Sequence, residues 1–386
     1  MSSRLPNLPD RHHCSGCRVC RDVCPKSAIV MNADQHGFFY PEVDEKLCIG
    51  CRTCEKACPM QNQPAAYRQV REAKTGVHKD AEVASRSSSG GAFSAVVKAW
   101  HPDAVCGVRW DGFRAVNDIA YSEEEIRAFS KSKYILSDTE EIYLRAAKEV
   151  RAGKRVLFSG TPCQVAAFRN IVGEQDNLLL VDLVCHGAPS QKLLQMHLEE
   201  LAGRTGKTIK SWSFRDKTPV KGLVSSRSAR VDFEDGSWQH FEIKDDAYLQ
   251  LYYARLAYRE ACGNCIYARP ERISDITVCD AHHIGELYPD LSMEKGASTI
   301  LFHTEKGMGL LAGIRDSMDL KDVDYDWIVD HNQQLAEPTR IHPRTEDFYR
   351  MIDAGESFEK AVTVITHRSL LSRAVGKVKR SLRRKH

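Results

Sequence analysis

The sequence predicts a small α+β head followed by a larger mixed α/β domain. Three observations predict it. Eight of the 14 cysteines fall between residues 14 and 58, in two matching runs. Residues 155–184 read as strand, turn, helix, strand. Residues 208–243 read as antiparallel strands with a turn at Asp235-Gly236. With 386 residues, 42% apolar and 28% charged, the chain can build two or three packed domains. That composition excludes a disordered or fibrous chain.

The head comes first. Its runs are Cys14-x2-Cys17-x2-Cys20-x3-Cys24-Pro25 and Cys48-x2-Cys51-x2-Cys54-x3-Cys58-Pro59. This spacing holds two cubane 4Fe-4S clusters, the fourth cysteine of each run serving the other cluster. One cluster is therefore expected on Cys14, Cys17, Cys20 and Cys58, the other on Cys48, Cys51, Cys54 and Cys24. Structural zinc takes four ligands from two spaced pairs and fits this pattern poorly. With Pro25-Lys26-Ser27-Ala28-Ile29 after the first run, the segment resembles the bacterial two-cluster ferredoxins. Such a module moves single electrons and selects no substrate.

A polar stretch over residues 60–75 reads as a linker. Ser87-Ser88-Ser89-Gly90-Gly91 then precedes a helix, Ala92–Trp100. Strands are expected at Ala104–Trp110 and Ala115–Tyr121. Ser122 and Glu125 form a capping box for a short helix, and Asp138 and Glu141 do the same for a longer one ending at Gly153. Arg155–Ser159 is an apolar strand, Gly160-Thr161-Pro162 a turn, and Cys163–Val172 a helix. Leu178–Val184 is apolar enough to be buried on both faces. Cys185-His186-Gly187 ends it. A helix runs from Pro189 to Gly203, and another over Tyr248–Arg259.

Ligands in such sheets sit beyond the carboxyl ends of the strands. Cys163 and Cys185 fall there and approach each other if their strands are neighbours. With Cys262 and Cys265 they total four thiols, enough for a third 4Fe-4S cluster. Cys279 is a rival fourth ligand, and Cys106 reads as core. The Ser88-Ser89-Gly90-Gly91 turn suits a phosphate, or is a plain helix cap. Lys131, Lys133 and Tyr134 suit a pyrophosphate, or a solvated face. His186 suits an acid or hydrogen-bond donor, or a structural role; His282 and His283 carry less signal. No G-x-G-x-x-G follows a strand, so a standard dinucleotide fold is not supported.

Charge is unevenly placed. The last twenty residues hold eight Lys/Arg and no acid, leaving 47 basic and 52 acidic residues in the rest. The acidic body argues against nucleic acid as a partner. The tail sets Leu371, Ala374, Val375, Val378 and Leu382 on one helical face, which suits an anionic membrane surface, a docking helix or a frayed end. Pro6, Pro9, Asp10 and His12 stand where a signal peptide has its apolar stretch. No apolar run is long enough to span a bilayer. A cytoplasmic protein is expected, peripheral at the inner membrane face if the tail binds there. In that compartment so many cysteines point to metal or redox chemistry.

Taken together, the pieces resemble the coenzyme F420 hydrogenase/dehydrogenase beta-subunit family. They are Ser87-Ser88-Ser89-Gly90-Gly91, Ser132-Lys133-Tyr134, Gly160-Thr161-Pro162-Cys163-Gln164, Cys185-His186-Gly187-Ala188-Pro189-Ser190, Cys262-x2-Cys265 and Ser274-Asp275-Ile276. The resemblance implies a flavin-binding α/β domain, divided at about residues 76–150 and 151–345, after a ferredoxin domain over 1–62 and a linker over 63–75. A tail over 366–386 follows. It implies FAD held by Ser88, Ser89, Gly90, Gly91, Ser132, Lys133, Tyr134, Gly160 and Thr161. It also implies a further cluster on Cys163, Cys185, Cys262 and Cys265, with Cys163 and His186 in catalytic roles.

Some relatives exchange hydride between flavin and a deazaflavin, and others reduce different substrates. Others still look linked to polysaccharide synthesis, which His36-Gly37-Phe38-Phe39-Tyr40-Pro41 and the basic tail resemble most. The chain departs from the family at Cys279-Asp280-Ala281-His282-His283, where relatives commonly have Gly-Asp and an aromatic-rich turn. The expected function is an FAD- and iron–sulfur-dependent oxidoreductase. Its expected partners are a redox protein or deazaflavin, a small-molecule or glycan substrate, and a second copy of the chain. The rival readings are an electron-transfer subunit without a substrate and a membrane-surface enzyme of polysaccharide biosynthesis.

Overall fold

The computed structural model describes residues 5–63, 67–220, 224–225, 227–292 and 296–366. The expected tail helix over 367–386 lies outside them. In the head, β1 (Ile29–Ala33) and β2 (Phe39–Val43) form an antiparallel hairpin. Each cysteine run bends into one short helix, Val19–Asp22 or Thr53–Ala57.

The body contains β3 (Glu72–His78), β4 (Ala104–Asp111), β5 (Arg114–Ala120), β6 (Val156–Gly160) and β7 (Leu178–Leu183). After these come β8 (Ile209–Phe214), β9 (Ser228–Phe233), β10 (Trp238–Glu242), β11 (Ile276–Asp280), β12 (Ser298–Phe302) and β13 (Met318–Asp322). Eight strands make one mixed sheet in the order β13-β3-β12-β11-β7-β6-β4-β5. Its centre, β4, β6, β7 and β11, is parallel; the flanking pairs are antiparallel. Strands β8 to β10 form a separate antiparallel sheet with its turn at Asp235-Gly236.

The parallel strands are apolar throughout because both faces are covered. Val105, Leu157, Leu179 and Val181 pack under the helix Ala92–Trp100. Their alternating neighbours Ala104, Cys106, Val156, Phe158, Leu178 and Leu180 pack under the helices Ile142–Arg151 and Pro162–Val172. Cys106 is buried in this second layer, as its apolar strand suggests. Cys17, Val19 and Ala57 of the head join the same cluster, so the head shares a core with the body.

Four local expectations change. The stretch read as linker enters the sheet at Glu72, and β3 lies between β12 and β13. Lys74 made it look solvated; it is buried between Glu72 and Asp322. The helix after Asp138 starts at Ile142 without a capping box, since Glu140 and Glu141 are left-handed and the Asp138 carboxylate goes to Arg18. The helix Gln191–Thr205 passes through Gly203 and stops at Gly206, which takes φ +66°. The expected helix Tyr248–Arg259 is confined to Ala247–Tyr253, because Arg255 turns left-handed at φ +57°.

Candidate redox and flavin site

The two runs ring two cavities. One is lined by Cys14, Cys17, Cys20 and Cys58. The other is lined by Cys24, Cys48, Cys51 and Cys54. Neither cavity is lined by a histidine or carboxylate, and Arg18, Lys26 and Arg52 stand at the rims. Soft thiolate donors with cations around them fit an anionic iron–sulfur cube. Among the described residues, no three His, Cys, Asp or Glu side chains converge as on a single ion. The thiols instead spread around a space, as a polynuclear cluster requires.

The inner cavity faces the body. Tyr143 Oη donates to the Cys17 carbonyl at 3.0 Å, and Tyr267 Oη to that of Pro59 at 2.6 Å. Arg259 is fully buried and donates through Nε to the Cys14 carbonyl and through Nη2 to that of Phe39, at 2.5 and 2.9 Å. Gly16 makes room: at φ +72°, a Cβ there would sit 2.8 Å from the Arg259 guanidinium. The outer cavity faces away. Cys51 is exposed, and Leu47, Ile49 and Val30 are each at least 50% exposed.

Beyond the carboxyl ends of β6 and β7 the next thiols gather. Cys163 opens the helix Pro162–Val172, where Thr161 and Gln164 form a capping box. Gly160 and Thr161 are committed to this turn, and Thr161 Oγ lies 3.2 Å from Cys163 Sγ. Cys185 follows β7, and Cys262 and Cys265 sit on the loop after Arg259. Burial pushes the Cys185 thiol well up, and Cys262, Cys163 and Cys265 add to this as neighbouring like charges. Burial and Cys265 hold Cys262 at about 12. Gly187 packs on this group; at φ +92°, a Cβ there would meet Cys262 Cβ at 2.9 Å. Cys17 of the inner cavity feels Cys163 more strongly than its own partners. Cys279 stands apart: burial, Asp280 and Arg272 set its thiol, and it packs among Val184, Leu301 and Ile328.

The Ser/Gly turn lies at the same end of the sheet. Ser88 Oγ accepts the Ser132 N–H at 2.8 Å, tying the turn to Ser132-Lys133-Tyr134. Gly90 donates to Ser298 Oγ at 2.8 Å, and a Cβ on it would collide with the Gly76 carbonyl oxygen. Gly91 takes φ +87° at the start of the helix Ala92–Trp100. Tyr134 stacks on Tyr252 at 4.2 Å. Among the described residues Lys133 Nζ reaches only main-chain carbonyls, Ser130 and Ala128; burial, then Lys131, bring it down to about 7. Burial and Arg215 lower Lys217 to about 8, and its Nζ holds the Ser89 carbonyl at 2.6 Å. The glycines are required by the turn's own packing on Gly76 and His78, and the feature that fits an anionic dinucleotide such as FAD is the Lys217 ammonium held beside the turn.

Sequence reasoning missed Arg215, Lys217 and Asp280 and undervalued His282. Arg215 Nη1 donates to Asp280 Oδ2 at 2.6 Å. Burial opposes the Asp280 charge, but Arg215 keeps its carboxyl below the ordinary range. Burial and His282 lower His186 to about 4, so it is neutral at pH 7. The available signal was position: Asp280 ends β11, which is parallel to β7 and adjacent to it.

Fold and thiol cages define an iron–sulfur protein with a ferredoxin-type domain. Residues 13–62 match the 4Fe-4S dicluster domain. Residues 153–326 match the family described as the C-terminal part of the coenzyme F420 hydrogenase/dehydrogenase beta subunit. No curated protein matches the chain in sequence. A chain of the F420-reducing NiFe hydrogenase complex from Methanosarcina barkeri aligns at 16% identity, over 72% of this chain and 98% of that one, with a TM-score of 0.43. Among the described residues no helix is long and apolar enough to cross a membrane.

Proposed function

We propose that the protein is an iron–sulfur flavoenzyme that passes electrons between its head clusters and an organic substrate. A third 4Fe-4S cluster on Cys163, Cys185, Cys262 and Cys265 links the inner head cluster to FAD at the Ser88–Gly91 turn. The single observation that carries this reading is the proximity of those four thiols to one another, with Cys163 also close to Cys17 of the inner cage. Bound there, FAD would exchange one electron with a cluster and two with a substrate.

The chain's own groups have defined roles. Ser88 fixes Ser132-Lys133-Tyr134 against the glycine turn. Lys217 supplies positive charge for a diphosphate. His186, neutral at pH 7, offers an imidazole N–H or lone pair to a substrate oxygen. The exposed, apolar-rimmed outer cavity suits a redox protein as partner, in keeping with a family of beta subunits.

The test is iron and flavin content of protein purified without oxygen. About twelve irons and one FAD per chain are expected, against about eight and none if only the head is loaded. Cys163→Ser should lose about four irons and block electron transfer from the head to bound flavin, while the head's visible spectrum stays unchanged. Full iron in that variant sinks the third cluster. Deazaflavins and nucleotide sugars are then the substrates to screen.

A further inference from the structure

Arg215 is only 4% exposed, yet it is half used. It follows β8 at φ +54°, a backbone conformation uncommon outside glycine. Nη1 is taken by Asp280. Nε and Nη2 are buried and make no well-formed hydrogen bond among the described residues; the Tyr134 hydroxyl alone interacts with the guanidinium there. Together they form the side-on edge of the guanidinium, the fork that grips two oxygens of one anion. Leaving such donors buried and poorly met is costly. Lys217 lies close to Arg215 and bonds only main-chain oxygens among the described residues, whereas Lys131 is neutralised by Asp216. Tyr134 and Tyr253 flank the guanidinium with their hydroxyls.

We infer that the Nε–Nη2 edge of Arg215 is a bidentate receptor for a phosphate-type oxyanion, with Asp280 as the brace that holds the fork in place. This deepens the flavin reading without depending on it. The oxyanion has two sources, the diphosphate of FAD or a phosphate carried by the organic substrate.

The test uses the full chain reconstituted without oxygen and inorganic pyrophosphate as the probe, read by calorimetry. Pyrophosphate should bind the native chain. Arg215→Gln should weaken it on the order of 10- to 100-fold, and Arg215→Lys, which keeps charge but lacks the fork, should fall between. Asp280→Asn loosens the brace and should weaken pyrophosphate binding, by less than Arg215→Gln does, provided its cluster spectrum and circular dichroism are native. Should Arg215→Gln not fold, Arg215→Lys and Asp280→Asn carry the test by themselves.

Separate titrations with FAD and riboflavin identify the source. If Arg215→Gln weakens FAD but not riboflavin, the oxyanion is the dinucleotide's diphosphate. If FAD affinity is unchanged and pyrophosphate binding to the FAD-loaded chain is lost, the oxyanion belongs to the substrate. A native chain that binds pyrophosphate through Arg215 but takes no flavin refutes the flavin reading and leaves this site standing. Equal pyrophosphate affinity in native chain and folded Arg215 variants overturns it, as does a native chain that binds no pyrophosphate.

Discussion

Gly16 and Gly50 both take φ +72°, and the arginines two residues on, Arg18 and Arg52, follow at +63° and +60°. Each arginine leads into one short helix. The two cages are thus near-copies in backbone, yet their surroundings differ. Cys14, Cys17 and Cys20 are buried, and Arg18 reaches across to Asp138 of the body. Cys51 is exposed, and Arg52 turns back to Glu55 of its own helix at 2.6 Å. Local spacing builds the cage, and distant residues decide what it faces.

Breaking the two arginine pairs tests that difference most strongly. Arg18→Ala breaks a largely buried pair, leaving Asp138 among the described residues with only Arg114 and the Glu140 N–H, and should cost on the order of 2 kcal/mol. Arg52→Ala removes a half-exposed local pair and should cost under about 1 kcal/mol. Denaturant unfolding of the anaerobic protein, followed by circular dichroism, measures both; equal costs would erase the contrast. Iron removal by a chelator should be biphasic, with the cluster at Cys51 bleached before the one at Cys17. Simultaneous loss would show that the body does not shield the inner cage.

Finer probes follow. Tyr143→Phe deletes the hydrogen bond to the Cys17 carbonyl and should cost about 1 kcal/mol, with the outer cluster's electron-resonance signal untouched. Smallest of all, Thr53→Val removes an O–H···S contact of 3.4 Å to Cys51. It should lower the outer cluster's reduction potential and leave the inner one in place. A shift confined to the inner potential in that titration would contradict the cage assignment.

The same contrast separates what was legible in the sequence from what was not. Cysteine spacing is local chemistry, so the crossed sharing of Cys24 and Cys58 follows from it. Apolar runs such as Leu178–Leu183 announce strands covered on both faces. Long-range pairing leaves no such trace. Arg215 and Asp280 are 65 residues apart, and neither carries a motif. Lys74 hid β3, because a buried ammonium between two carboxylates looks like linker polarity in one dimension. Asp138 sits where a cap belongs but serves Arg18 instead. Cys17 and Cys163 lie far apart along the chain, and only folding brings the head's inner cage to the sheet.

The body grips that cage by its main chain. Tyr143, Tyr267 and Arg259 all donate to carbonyl oxygens of cage cysteines or of the proline beside one. A cluster bound in the cage would hold the loop, and with it those oxygens, in this geometry. Iron loading and tertiary stability are therefore linked equilibria. A cell short of iron would hold less of this protein, with no change in its synthesis. The apo chain should accordingly be cut by trypsin within the body far faster than the loaded chain. Equal rates would mean that the grip closes before the metal arrives.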